Sequence, residues 1–338
     1  MSCQGNTKKI MTLLAFTFPL LSGRLQAQDI SSHKVQIITV ADDVKLEVLD
    51  WGGTGRPLVL LAGAGATAHV FDAFAPKLAQ FYHVYGITRR GSGASSSPDP
   101  AISDYSADRL GDDVLAVLNA LKLNRPVLVG HSLAGEELSS IGSRYPEKVA
   151  GLVYLDAAYA YAYYAPGNLI PAGDNLIIDA NDLRMKVDRL TAPGVSAQQS
   201  SAAIRALLQT DLPQLQTDLL ATQKLLRRSG RPLAPPTPLK PCMLKGCGLL
   251  AGAQKYTDLK VPVLAIFAGA AVPLNASAGT RPNLQTDDPM EAQVKRFKAG
   301  NPSARVVLLP NGDHEIFVSN EADVLSEMKA FIGALPRS

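Results

Sequence analysis

Apolar positions along this chain follow two periods. Short apolar runs bounded by Gly, Pro or charged residues recur at 57–61, 83–87, 126–130, 150–155, 261–267 and 305–309. Runs of this length, apolar at successive positions rather than at alternate ones, predict strands covered on both faces, as in a buried parallel sheet. Between them lie stretches with helical spacing at 70–79, 107–121, 133–144, 288–298 and 321–332. In the second of these, Leu110, Val114, Leu115, Val117, Leu118 and Leu121 fall largely on one face. Segments 35–39 and 46–51 predict a leading hairpin, with an Ala-Asp-Asp turn between them. From 158 to 257 the apolar β-runs stop, and helical segments at 181–190, 197–208 and 215–228 are separated by proline-rich linkers, notably 231–241. The expectation is an α/β fold: a mostly parallel, doubly wound sheet from 28–157 and 258–338, interrupted by a helical cap over 158–257.

The first 27 residues change the picture of charge and compartment. Lys8 and Lys9 precede an apolar run at 10–21, and small residues lead to an expected cut after Ala27, the pattern of a secretory signal peptide. That run is short for a membrane span and contains Pro19. Its removal takes away Lys8, Lys9 and Arg24 and no acid, so the 33 basic and 30 acidic side chains become equal in number. A neutral mature chain gives no reason to expect a nucleic-acid partner. Cys242 and Cys247 are the two cysteines left, and in an oxidising compartment so close a pair is expected to form a disulfide. The loop it closes is short, so it contributes about 2 kcal/mol.

The run from Pro126 to Gly135 is an apolar strand that breaks at Ser132 and restarts as a helix. Small residues flank the break: Gly130 stands two before the serine, Ala134 two after, and Gly135 follows. Strand, strained serine and helix make a nucleophile elbow, which lifts Oγ clear of the sheet beside the unpaired N–H groups of a helix start. Serine needs a base to take its proton. Of five histidines, His314 lies in a polar loop directly after the last strand, at the sheet edge where the elbow opens. His131, adjacent to Ser132, is expected to point elsewhere.

These features resemble the α/β-hydrolase fold superfamily, in its cap-bearing, lipase/esterase-like branch. The resemblance runs from about residue 35 to the C-terminus. It is carried by the elbow Gly130–Gly135, the segment Leu60-Leu61-Ala62-Gly63-Ala64-Gly65, the segment Arg89-Arg90-Gly91-Ser92-Gly93, and Asp313-His314. It implies a triad acid in the chain order Ser, acid, His. The acid usually follows the strand after the cap, but residues 266–273 hold no carboxylate. Some members take it from the end of the preceding strand, which here is Asp156. The alternatives are Asp287 or Asp288, reaching back from the loop before their helix, and Glu136 behind the serine; Glu136 or Glu137 is otherwise a buried partner for a polar group under the site. For the oxyanion, the elbow supplies the N–H of Leu133, and the loop after residue 61 supplies, by position, that of Ala64. The family often has His-Gly in that loop, where this chain has Ala62-Gly63. Tyr159, Tyr161, Tyr163 and Tyr164 lead into the cap, and Tyr159 and Tyr161 are weak candidates for substrate binding.

The resulting expectation is a secreted or periplasmic serine hydrolase that cleaves carboxylic esters or lactones through an acyl-enzyme on Ser132. Carbon–carbon bond hydrolysis and peptidase chemistry use the same triad, and a non-catalytic ligand-binding protein can use the same scaffold. A small-molecule substrate is the only expected partner. No metal cluster stands out along the chain, and no glycine motif extends to a dinucleotide fingerprint, so no cofactor is expected.

Overall fold

The computed structural model describes residues 33–99, 103–159, 195–229, 258–269 and 289–336, with Ala162, Tyr256 and a few positions of 183–190 between them. Residues 1–27, expected to be a signal peptide, the 231–241 linker, Cys242, Cys247, Tyr161, Tyr163, Tyr164, Asp287, Asp288 and half of the 181–190 segment lie outside the described residues. Among the described residues, no helix is long and apolar enough to cross a membrane.

Among the described residues, eight strands form one sheet in the order β1-β2-β4-β3-β5-β6-β7-β8. The antiparallel hairpin β1 (Lys34–Ala41) and β2 (Val44–Gly52) leads in. Strand β2 then pairs antiparallel with β4 (His83–Ile87), which runs parallel to β3 (Pro57–Leu61). Strands β5 (Val127–His131), β6 (Gly151–Leu155), β7 (Val263–Ala268) and β8 (Arg305–Leu309) continue the parallel set. The chain steps to one side of β3 to make β4 and to the other to make β5. The loops after β3 and β5 therefore open together at the point where strand order reverses.

The continuous apolar runs have a direct cause in the two packed faces. On one face Val59, Leu61, Leu128, Leu152, Tyr154 and Phe267 meet α2 (Ala107–Ala120), α3 (Ala134–Arg144) and the later helix α6 (Pro289–Gly300). On the other face Leu58, Leu60, Val127, Val129, Val153 and Leu155 meet α1 (Ala75–Ala79) and the closing helix α8 (Glu321–Ala334). Alternate residues of the central parallel strands go to opposite cores, so successive positions there are apolar.

Three predicted helical segments differ in detail, in each case beside a proline. The 70–79 segment is a 3-10 turn (Ala68–Phe71) followed by α1, since Pro76 has no N–H to give to the carbonyl four residues back. The segments at 197–208 and 215–228 form one run instead of two: α4 (Ala197–Ala206), a π turn (Leu207–Asp211) and α5 (Leu212–Ser229). The wider turn comes just before Pro213, where the regular bond ladder fails. This helical run lies between β6 and β7, inside the stretch predicted as a cap, and leaves Leu208 and Leu220 exposed. The short helix α7 (Ile316–Ser319), directly after the His314 loop, was not expected from spacing.

Leu128 sits fully buried in the middle of the central strand β5. Leu128→Ala is expected to destabilise the fold by about 3 kcal/mol, through lost transfer energy and the cavity left behind, read as a shift in the urea midpoint.

Candidate active site

The register of the parallel strands brings distant residues to one edge. His131 of β5 pairs with Leu155 of β6, and Leu155 pairs with Ile266 of β7, so Ser132 and Asp156 are the first residues beyond adjacent strand ends. Both hold left-handed backbone, with φ of +53° and +47°. The Ser132 N–H donates to the Leu155 carbonyl at 3.3 Å and the Asp156 N–H to the Ile266 carbonyl at 2.8 Å. After Ser132 the chain turns straight into α3, and the helix backs onto the β6 end so closely that a Cβ at Gly135 would lie 2.1 Å from the Ala157 carbonyl oxygen. Only glycine permits that approach.

At this edge Ser132, His314 and Asp156 meet. Ser132 Oγ is 2.8 Å from His314 Nε2, and His314 Nδ1 is 2.7 Å from Asp156 Oδ2. The other carboxylate oxygen of Asp156 accepts from the Ala268 N–H at 3.0 Å and from the Tyr159 hydroxyl at 2.6 Å. Asp156 is buried whereas the His314 ring is half exposed, so the relay opens to solvent at its serine end. The sequence-level candidate Tyr159 thus has its hydroxyl on the Asp156 carboxylate, with its ring edge-on to Phe267. Residues 266–273, notable for lacking an acid, instead supply the Ala268 N–H that holds Asp156.

Gly63 lies against the serine: a Cβ there would be 2.9 Å from the Ser132 Cβ and 3.1 Å from His131 Nδ1. Ala64 follows and is exposed, and Leu133, directly after the serine, begins the turn into α3. The Gly63 loop is held from below by Arg89, which donates to the Ala62 carbonyl at 2.9 Å and to the Gly63 carbonyl at 3.3 Å. The same guanidinium forms a two-pronged ion pair with Glu137, at 2.6 and 2.9 Å. Burial alone would lower the Arg89 pKa, but the Glu137 charge and hydrogen bonds outweigh it and raise it. Glu136, the other α3 acid considered, is fully buried, while the free Nδ1 position of His314 is taken by Asp156.

His131 was expected to point away from the serine, and it does. Its Nε2 donates to the backbone carbonyl of His314 at 2.8 Å, and its ring packs edge-on against Phe317 of α7. Burial lowers its pKa, which keeps the imidazole neutral under the loop that presents His314. The roles of Arg89 and His131 were not readable along the chain, because each acts through a backbone carbonyl distant in sequence.

A hydroxyl on a strained turn, bonded to an imidazole that a buried carboxylate orients, defines a class of nucleophilic hydrolases. The chain belongs to the alpha/beta hydrolase family, whose sequence profile matches residues 58–327, and it has that fold. It spans about 60% or less of the length of the first curated relatives it matches. The sn-1-specific diacylglycerol lipase of Xenopus tropicalis is 27% identical over 195 residues, 57% of this chain and 60% of that protein's length. The pimeloyl-[acyl-carrier protein] methyl ester esterase of Aeromonas hydrophila is 25% identical over 83% of this chain and 97% of its own. Among solved structures, E-2-(acetamidomethylene)succinate hydrolase superposes with a TM-score of 0.56 at 20% identity, over 89% of this chain and 100% of the other. An N-acyl homoserine lactone degrading enzyme does so with 0.53 at 20% identity, over 88% and 100%.

A folded-state pKa held below the ordinary 6.5 means that the unfolded chain binds the His131 proton first. The stability tied to neutral His131 is therefore complete above that value and is lost as pH falls through it. In urea titrations from pH 8 to pH 5, His131→Gln is expected to show a shallower loss of stability than the wild type. An unchanged slope would remove His131 as the group responsible.

Proposed function

We propose that this protein is a serine hydrolase that cleaves carboxylic esters or lactones through an acyl-enzyme on Ser132. The observation that carries the reading is the unbroken relay from Ser132 Oγ through the His314 ring to buried Asp156, with both bonds under 3 Å. His314 Nε2 takes the hydroxyl proton as Oγ attacks the substrate carbonyl carbon. The negative charge that develops on the carbonyl oxygen falls between the N–H groups of Leu133 and Ala64. His314 then gives the proton to the leaving alkoxide, and the acyl group stays on Ser132. Water, deprotonated by the same nitrogen, attacks the acyl-enzyme; the acid leaves and the hydroxyl is restored. Asp156 stays ionised, holds Nδ1–H, and stabilises the imidazolium in both steps. Tyr159 and Ala268 keep the carboxylate in the orientation that this requires.

Support for an ester or lactone carbonyl comes from relatives whose names are those of a methyl ester esterase, a diacylglycerol lipase and a lactone-degrading enzyme. Support for work outside the cytoplasm comes from the signal-like pattern of residues 1–27, with its lysines, apolar run and small residues before Ala27. On this reading the segment 158–257 is a cap that shapes the acyl or alcohol pocket.

The test is hydrolysis of p-nitrophenyl esters of graded chain length and of a homoserine lactone series. Ser132→Ala is expected to abolish turnover and labelling by a fluorophosphonate. Asp156→Asn should lower kcat by about four orders of magnitude, since it leaves the geometry but not the tautomer. Tyr159→Phe removes one bond to a charged group and should cost about tenfold. A wild-type protein that neither turns over these substrates nor takes the fluorophosphonate would overturn the reading in favour of a binding protein on this scaffold.

A further inference from the structure

A second cluster of titratable side chains lies away from the triad, on the 3-10 turn that follows the Gly63 loop. His69 and Asp72 are one turn apart (i, i+3), so both side chains leave the turn on the same side. The start of β1 brings His33 against them. Asp72 Oδ1 lies 2.8 Å from His33 Nδ1, and Asp72 Oδ2 lies 3.3 Å from His69 Nδ1. One ligand atom from each of the three residues falls within 4.8 Å of the other two. The His33 side chain is fully buried, whereas His69 and Asp72 are each about one-third exposed, so one side of the cluster opens to water.

The surroundings of the cluster are organised as they are around metal ligands. A histidine that binds a metal through one nitrogen characteristically hands its other N–H to a carboxylate, which fixes the tautomer and the ring. Here His69 Nε2 faces Glu47 Oε1 at 3.4 Å. The other Glu47 oxygen accepts from the Thr88 hydroxyl at 2.6 Å, and that hydroxyl accepts from the Ala68 N–H at 3.0 Å. Asp72 Oδ1 is held in turn by the Trp51 indole N–H at 3.1 Å. The ring orientation of His69 and the plane of Asp72 are therefore set by partners outside the three residues themselves.

We propose that His33, His69 and Asp72 bind one divalent cation of the zinc type, with water completing its coordination. Two imidazoles and a carboxylate suit a borderline cation better than calcium or magnesium, which take oxygen sets. Ligand atoms about 2.1 Å from a tetrahedral ion stand about 3.4 Å apart; Asp72 Oδ2 is already at that spacing from His69 Nδ1, at 3.3 Å, and Oδ1 lies closer still to His33 Nδ1, at 2.8 Å. The two histidine nitrogens lie within 4.8 Å of each other, a gap that rotation about the side-chain bonds can close. The ion would tie the start of the edge hairpin to the turn that follows the oxyanion loop, and so stabilise the entry to the fold rather than take part in the ester chemistry.

The test uses tag-free protein stripped with a chelator and titrated with Zn2+. The expected result is uptake of one equivalent and a Tm that rises with Zn2+, with both responses lost in His33→Gln and His69→Gln. Co2+ in place of Zn2+ should give visible d–d absorption without a thiolate charge-transfer band. Absence of uptake by the wild type, or retention of the full equivalent by either folded variant, would overturn the proposal. A cobalt–thiolate band would do the same, by moving the ion to Cys242 and Cys247. Should neither glutamine variant fold, Asp72→Asn keeps the acceptor for Trp51. Zinc affinity at least tenfold weaker in that variant supports the site, and unchanged affinity overturns it.

Discussion

Ser132 and Asp156 carry left-handed backbone at the carboxyl ends of neighbouring parallel strands, and the rest of the site is arranged around that pair. Such a conformation costs an ordinary side chain about 1–3 kcal/mol, and it persists only where the surroundings over-determine it. Here the strand ends provide the determination: each of the two N–H groups donates to the carbonyl of the next strand, so the peptide planes at 132 and 156 are fixed by sheet register. The gain is directional. Oγ leaves the sheet at the mouth while the Asp156 carboxylate stays buried, and the 158-residue gap in sequence between Asp156 and His314 closes to a single hydrogen bond.

A second level of support keeps the loops that face the serine in place. Arg89 and Glu137 form a charged pair beneath the site, and the same guanidinium holds two successive carbonyls of the loop after β3. A buried pair of this kind contributes little net stability once desolvation is counted, so its value lies in orientation. His131 does for the His314 loop what Arg89 does for the Gly63 loop, bonding a backbone carbonyl from a neutral, buried ring. Both supports begin at the ends of β4 and β5, so they move with the sheet rather than with the surface.

The element plan was legible along the chain because its causes are local. Strands with runs of successive apolar positions, helices with one apolar face, and a Gly-x-Ser-x-Ala-Gly break between strand and helix each need only neighbouring residues to be recognised. The strands at 57–61, 83–87 and 305–309 match their predicted bounds. Where local reading missed, the cause was a backbone group rather than a side-chain pattern. Pro76 and Pro213 remove donors and redraw three helical segments, and α7 is too short to carry a period.

By itself, then, the sequence determined the layered α/β plan, the serine at the elbow and the histidine beyond the last strand, because backbone punctuation and periodicity encode them. Tertiary structure alone decided which groups surround them. The meeting of Asp156 with His314, the Tyr159 hydroxyl and Ala268 N–H on the carboxylate, and Arg89 beneath the Gly63 loop all depend on strand order and register. The same holds for His33, His69 and Asp72, which are spread over 40 positions and carry no spacing signal, yet stand within 4.8 Å once the hairpin closes on the sheet. Contacts between residues so far apart are set by the packing of whole elements, and no local pattern records them.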